Sequence, residues 1–200
     1  MERELLRKTP PPVIRVTKIA DAGGNPDVVD FFGASPLAVG YTSSGIPVKN
    51  KRTMYLLHDD KFLYLRYFES DPPAIGNGRE NFWLNNIEIF AGYQQSYPVS
   101  HFAATPDGSL ESLVHEIEGG VPRLSNRKID IRLKNDLTGK EWQVTMAIPL
   151  KTLLPDRSLC AGKRFFLNLM RTCRFPDGIS SSWSVLGGNG SYIQSLDRMG

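Results

Sequence analysis

The sequence predicts an all-β protein: an antiparallel β-sandwich of jelly-roll or immunoglobulin-like two-sheet architecture with at most short helical turns. Three observations predict it. First, apolar and polar residues alternate with period two, as they do in strands with one face in a core and one in water. Trp142, Val144, Met146 and Ile148 share one side of such a run, and Gln143 and Thr145 the other. Second, 18 Gly and 14 Pro in 200 residues cut the chain into short segments, and they stand where turns want them. Third, no segment carries the long 3.6-residue periodicity of an amphipathic helix. About nine strands over this length suit a sandwich.

Residues 1–12 form an N-terminal extension, and 13–200 a single domain. The charged opening 1–9 has no apolar stretch and is expected to be neither a signal peptide nor an anchor. A strand is expected over 13–17, a helical turn near 28–32 and a strand over 53–58. The turn His58-Asp59-Asp60-Lys61 leads into 62–68, which is apolar on both faces and therefore central in a sheet. Ser70-Asp71-Pro72-Pro73 ends it. Strands are expected over 86–92 and 99–105, then the turn Thr105-Pro106-Asp107-Gly108, then a strand over 110–117. In 128–134, Ile129, Ile131 and Leu133 form an apolar set whose charged neighbours face water. After Asn135-Asp136-Leu137-Thr138-Gly139 come the strand 142–148 and a helical turn over 149–154. The stretch 165–170 is again apolar on both faces, hence central. Trp142, Val144, Met146, Ile148, Leu63, Leu65 and Leu169 are the expected core.

Composition narrows the function classes. Hydrophobic residues at 40% and charged residues at 22% describe a globular chain. Lys plus Arg is 24 and Asp plus Glu 21, a net charge of +3 that is too small and scattered for a nucleic-acid partner. No apolar run reaches the ~18 residues of a membrane span, so no membrane partner is expected. Cys160 and Cys173 flank the strand 165–170. At ~3.3 Å per residue they lie too far apart to bridge, so two free, buried thiols are expected.

The catalytic inventory is thin. His58, His101 and His115 have neither an HExxH motif nor metal-ligand spacing. There is no GxSxG, and Ser180-Ser181-Ser182 has no local base. No catalytic residue and no cofactor are expected. Glu88 lies within the apolar strand Asn86-Ile87-Glu88-Ile89-Phe90, on the face opposite Ile87 and Ile89. It either faces water or hydrogen-bonds a ligand. Among the tryptophans, Trp142 and Trp183 read as core. Trp83, in the polar run Arg79-Glu80-Asn81-Phe82-Trp83-Leu84-Asn85-Asn86, either caps the sandwich or binds sugar. A loop ring covers the C–H face of a pyranose, and neighbouring amides and carboxylates take its hydroxyls. Tyr192, beside Asn189 in the glycine loop 187–190, is a second aromatic of this kind. That loop is no phosphate cradle, because no helix comes after it.

Four segments resemble the family 9 carbohydrate-binding modules and their DOMON-like relatives. His58-Asp59-Asp60-Lys61-Phe62-Leu63-Tyr64-Leu65, then Asp71-Pro72, is similar to the family's Asp-x-x-x-Leu-Tyr hairpin. Trp83 with Asn86-Ile87-Glu88-Ile89-Phe90 is similar to its Trp-then-acidic strand. Trp142-Gln143-Val144 through Ala147-Ile148-Pro149-Leu150 resembles its Trp-to-Ile-Pro turn. Phe166 to Arg171 with Ser182-Trp183-Ser184 resembles its Asn-x-x-Arg strand and Ser-Trp-Ser. The resemblance spans roughly 13–200 and implies a non-catalytic module that binds a plant or microbial polysaccharide or its oligosaccharides. Such a module is appended to, or excised from, a larger glycan-degrading enzyme of the glycoside-hydrolase type. It implies an extracellular or periplasmic location.

The resemblance further implies a ligand site of Trp83, Glu88, Asn189 and Tyr192, with two rings clamping a sugar. Two family positions differ: an arginine falls near Ala103 and a glutamine at Met170. Structural calcium is implied as an option, with Asp27/Asp30 and Asp59/Asp60 as oxygen donors. Three other readings suit the same residues. Related sandwiches hold haem for electron transfer, which would use His101 and Met170. The chain could also be a glycan-active enzyme, or a structural spacer within a larger one.

Overall fold

The computed structural model describes residues 13–39, 41–42, 52–72, 79–173 and 178–181. In chain order the strands are β1 (Thr17–Lys18), β2 (Leu37–Ala38), β3 (Tyr41–Thr42), β4 (Arg52–His58), β5 (Phe62–Ser70), β6 (Asn85–Gly92), β7 (Val99–Ala104), β8 (Leu110–Glu118), β9 (Val121–Asn126), β10 (Arg132–Leu137), β11 (Glu141–Pro149), β12 (Phe166–Cys173) and β13 (Gly178–Ser181). A 3-10 helix (Arg79–Leu84) precedes β6, and the single-turn helix α1 (Leu150–Leu153) comes after β11. The strands form two sheets. The first runs β1-β4-β5-β11-β10, with β2 also against β4; the second runs β3-β13-β12-β6-β7-β8-β9. All pairings are antiparallel except the two-residue bridge of β1 with β4. The protein is an all-β sandwich.

The core lies between the sheets, where alternation sends it. Met54 and Leu56 of β4, Leu63, Leu65 and Tyr67 of β5, and Trp142, Val144, Met146 and Ile148 of β11 meet Ile87, Ile89, Phe102 and Leu169. The seven expected core residues are all buried. β5 and β12 are central, as their two apolar faces require. The outer face of β5 is covered by the segment 19–34, which packs Val29 and Phe31 on Leu57, Tyr64 and Ala147. That segment has no helix near 28–32; tight turns replace it. It comes so close at Gly24 (φ 70°) that a Cβ there would run into the Phe62 ring.

Three other expectations are corrected. The strand expected over 128–134 begins only at Arg132 as β10, although Ile129, Ile131 and Leu133 do lean on the core. Cys160 is exposed, because it sits in a turn outside the sheet; only Cys173 is buried, and both are free. The polar run before β6 is a 3-10 helix rather than a loop. Trp183 lies outside the described residues.

One ion network crosses the core. Glu69 (β5) accepts from Arg52 Nε (β4) at 2.8 Å and from Arg171 Nε (β12) at 2.7 Å, and all three side chains are fully buried. The Tyr67 hydroxyl donates to the same carboxylate at 3.3 Å. Arg171 also donates to the carbonyl of Asn86 and stacks over Trp142, 4.9 Å from the ring centroid. Trp142 Nε1 donates to Asn135 Oδ1 at 2.8 Å. The network ties the first sheet to the second beneath the strands that carry the candidate site.

Candidate functional site

The site is built on the outer face of the second sheet. The 3-10 helix points Phe82 inward and leaves Trp83 44% exposed, edge-on to Phe82 at 4.9 Å. Asn86 Nδ2 donates to the Phe82 carbonyl at 2.8 Å and fixes the helix to β6. Period two then separates β6 into an inner row, Ile87, Ile89 and Ala91, and an outer row, Asn86, Glu88 and Phe90. β7 brings His101 to the outer row opposite Phe90, and β8 brings His115 one diagonal step away. From the other side β12 brings Thr172, opposite Asn86.

These side chains touch in sequence. The Thr172 hydroxyl donates to Glu88 Oε1 at 2.5 Å. Glu88 Oε2 lies 2.9 Å from His101 Nε2, a close contact that misses the ring N–H direction and is no aligned hydrogen bond. His101 Nδ1 and His115 Nε2 share a hydrogen bond at 3.0 Å. The His101 ring stacks on Phe90 at 4.3 Å and lies 5.6 Å from the Trp83 ring. Burial and the neighbouring His101 lower the pKa of His115 to about 4, against a smaller opposing pull from Glu88. His115 is therefore neutral at pH 7. The Glu88 side chain is 11% exposed, so it faces a small opening and not bulk water. A half-open indole beside a held carboxylate can stack on an apolar ring face and accept a hydrogen bond at its rim.

Trp83 and Glu88 are thus brought to one place, joined through His101. Asn189 and Tyr192 lie outside the described residues. Ala103 and Met170, the two positions that differ from the family pattern, flank Glu88 directly on β7 and β12. The polar partners of Glu88 come instead from one step along, His101 and Thr172. Sequence reasoning missed Thr172 and the partnership of His101 with His115. A signal existed: both histidines stand at odd-numbered positions flanking the turn around Asp107 and Gly108, so a hairpin centred there puts them on one face.

Two cofactor expectations meet their residues here. His101 Nδ1 is engaged with His115 and Nε2 lies 2.9 Å from Glu88 Oε2, so an axial haem ligand at His101 would have to displace one of these two neighbours. The carboxylates named for calcium have protein partners in the fold. Asp59 accepts from the backbone of Lys61 and Phe62 at 2.7 Å each and from the Tyr64 hydroxyl at 2.6 Å. Asp60 pairs with Lys18, Asp27 lies 3.5 Å from Lys134, and Asp30 accepts from the Phe32 amide. Among the described residues no group of three His, Cys, Asp or Glu could hold a metal ion.

The fold is that of the family 9 carbohydrate-binding modules. Such a module from Caldicellulosiruptor kristjanssonii, solved with cellotriose, superposes with a TM-score of 0.64 at 13% identity, over 92% of this chain and 90% of that one. The same kind of module with glucose gives 0.63 at 13% identity, over 87% of each chain. A presumed carbohydrate-binding protein from Bacteroides uniformis gives 0.68 at 15% identity, over 92% of this chain and 95% of that one. At these identities the likeness is one of fold. No family model and no curated protein matches the sequence. No helix among the described residues is long and apolar enough to cross a membrane.

Proposed function

We propose that the protein is a non-catalytic carbohydrate-binding module that takes an oligosaccharide, or the end or edge of a polysaccharide, on the outer face of the second sheet. One observation carries this reading: Trp83 is held half-exposed beside a carboxylate whose position is fixed by Thr172 and His101. Trp83 stacks on a sugar ring and Glu88 accepts from its hydroxyls. Asn189 and Tyr192 complete the site from the C-terminal segment. The glucose and cellotriose in the two similar modules support a neutral glucan as ligand. Stacking with few hydrogen bonds gives weak affinity, which attachment to a secreted glycan-degrading enzyme raises by multivalency. Calorimetric titration with cellotriose and glucose, repeated on Trp83→Ala, tests the reading. Saturable binding that disappears in the variant supports it. Wild-type binding unaffected by Trp83→Ala removes the stacking site.

A further inference from the structure

The histidine pair is not needed to join its strands. β7 and β8 are already zipped by a ladder from Val99↔His115 to Ala104↔Leu110. Apolar side chains would fill the same buried face without the desolvation of polar rings. Two imidazoles, 3% and 7% exposed, stand there in contact with each other, and one of them lies 2.9 Å from a carboxylate oxygen. We propose that His101 and His115 are positioning residues for Glu88: His115 fixes the tautomer and ring plane of His101, and His101 fixes the carboxylate beside Trp83. Glycan binding then persists only while the two imidazoles share one proton between their facing nitrogens. This rests on the outer face being the glycan site.

The geometry sets the rule. An N···N separation of 3.0 Å is a hydrogen bond only with one proton between the nitrogens. Two neutral rings satisfy this, and so does a pair carrying a single extra proton. A pair with both rings charged does not, because two N–H groups then point at each other. Phe90 stacks on the His101 ring and Trp83 lies 5.6 Å from it, so it has little freedom to turn away while the fold holds. The titratable group facing the pair from β6 is Glu88. β8 adds Glu111, further along the same face opposite Ala103. β9 offers Leu124, β12 Thr172 and the 3-10 helix Trp83, none of them charged. Burial and the neighbouring His101 hold the pKa of His115 down to about 4. Below that, the two rings part and Glu88 loses its brace.

Two measurements test this, one without ligand. Nitrogen-15 imidazole spectra should show coupling through the hydrogen bond between His101 and His115 at pH 7, lost as pH falls below about 4. Absence of that coupling at pH 7 overturns the proposal. Cellotriose titrations should show His115→Leu about tenfold weaker at pH 7, the scale of a lost charge-assisted contact. His115→Gln, whose amide can still donate to His101 Nδ1, should bind within about threefold of wild type. It should also lose affinity less steeply than wild type on acidification. If His115→Leu does not fold, the pH profile of His115→Gln decides: a profile identical to wild type overturns the proposal. Equal binding of His115→Leu and wild type overturns it while leaving the glycan reading intact. A wild type that shows the coupling but binds neither cellotriose nor glucose breaks the glycan reading, and the positioning role with it.

Discussion

Glu69 and Glu88 are carboxylates in strands of opposite sheets, and both are withdrawn from water, yet their surroundings differ in kind. Glu69 is held by two guanidinium groups that stay charged at any ordinary pH. Glu88 is held by a hydroxyl and an imidazole, partners whose strength depends on rotation and protonation. The two environments meet on β12, where Arg171 faces the core and the next residue, Thr172, faces out. The contrast separates a fixed charge that locks two sheets together from an adjustable one set at an opening. A buried network of permanent charges stabilises little by itself, but breaking it is costly. A titratable neighbour near the surface suits a group that must meet a ligand.

The largest effect should come from breaking the fixed network. Glu69→Ala leaves Arg52 and Arg171 buried without their shared anion and should cost about 3–5 kcal/mol. In a domain of this size that lowers the melting temperature by roughly 6–20 °C, measurable by calorimetry. At a temperature where this variant is still folded, it should bind cellotriose nearly as well as wild type. Loss of binding in a folded Glu69→Ala protein would show that the two carboxylates act as one system.

Trp83→Ala should lower cellotriose affinity by about a hundredfold or abolish it, since one ring dominates a small stacking site. Its melting temperature should move little, because Trp83 is half-exposed. A fall as large as that of Glu69→Ala would make Trp83 a cap on the sandwich instead. Glu88→Gln keeps the shape and loses the charge; binding should weaken about tenfold, with the fold retained. Unchanged affinity would return Glu88 to a packing role.

A further effect concerns acid. The pKa of His115 is about 4 in the fold, below its value of 6.5 in an unfolded chain. The unfolded state therefore binds more protons between these values, and stability falls as pH drops from 6.5 towards 4. Above 6.5 the contribution is complete. His115→Gln should flatten that part of the stability curve, as read from urea midpoints at successive pH values; an unaltered curve would show that His115 is not buried in the fold. Asp59 adds a separate, more acidic limb. Burial pushes its carboxyl up, but hydrogen bonds from Tyr64, Lys61, Phe62 and Ala22 outweigh that and hold it below the usual carboxylate range. Asp59 thus stabilises the fold above the normal carboxylate pKa and ceases to as pH falls through its own lowered value.

Alternation in the sequence determined most of the sandwich. In β11 the set Trp142, Val144, Met146 and Ile148 could point only one way, because water accepts none of them. The double apolar faces of β5 and β12 likewise placed them centrally. β9 escaped that logic because all six of its residues are exposed. Only Gly119-Gly120, with φ values of 59° and 81°, marked the hairpin that forms it. The parity of Glu88 against Ile87 and Ile89 gave its face, and the polar run around Trp83 singled out that ring. What surrounds Glu88 was decided by tertiary structure: Thr172 is 84 positions away, and His101 reaches it from another strand. Glu69 shows the same limit. Period two from Leu63, Leu65 and Tyr67 points it inward, but its second arginine lies 102 positions along the chain. Local pattern reports which side of a strand a residue occupies, because that depends on backbone geometry alone. Which charges become partners depends on strand order between sheets, and only the folded chain sets that.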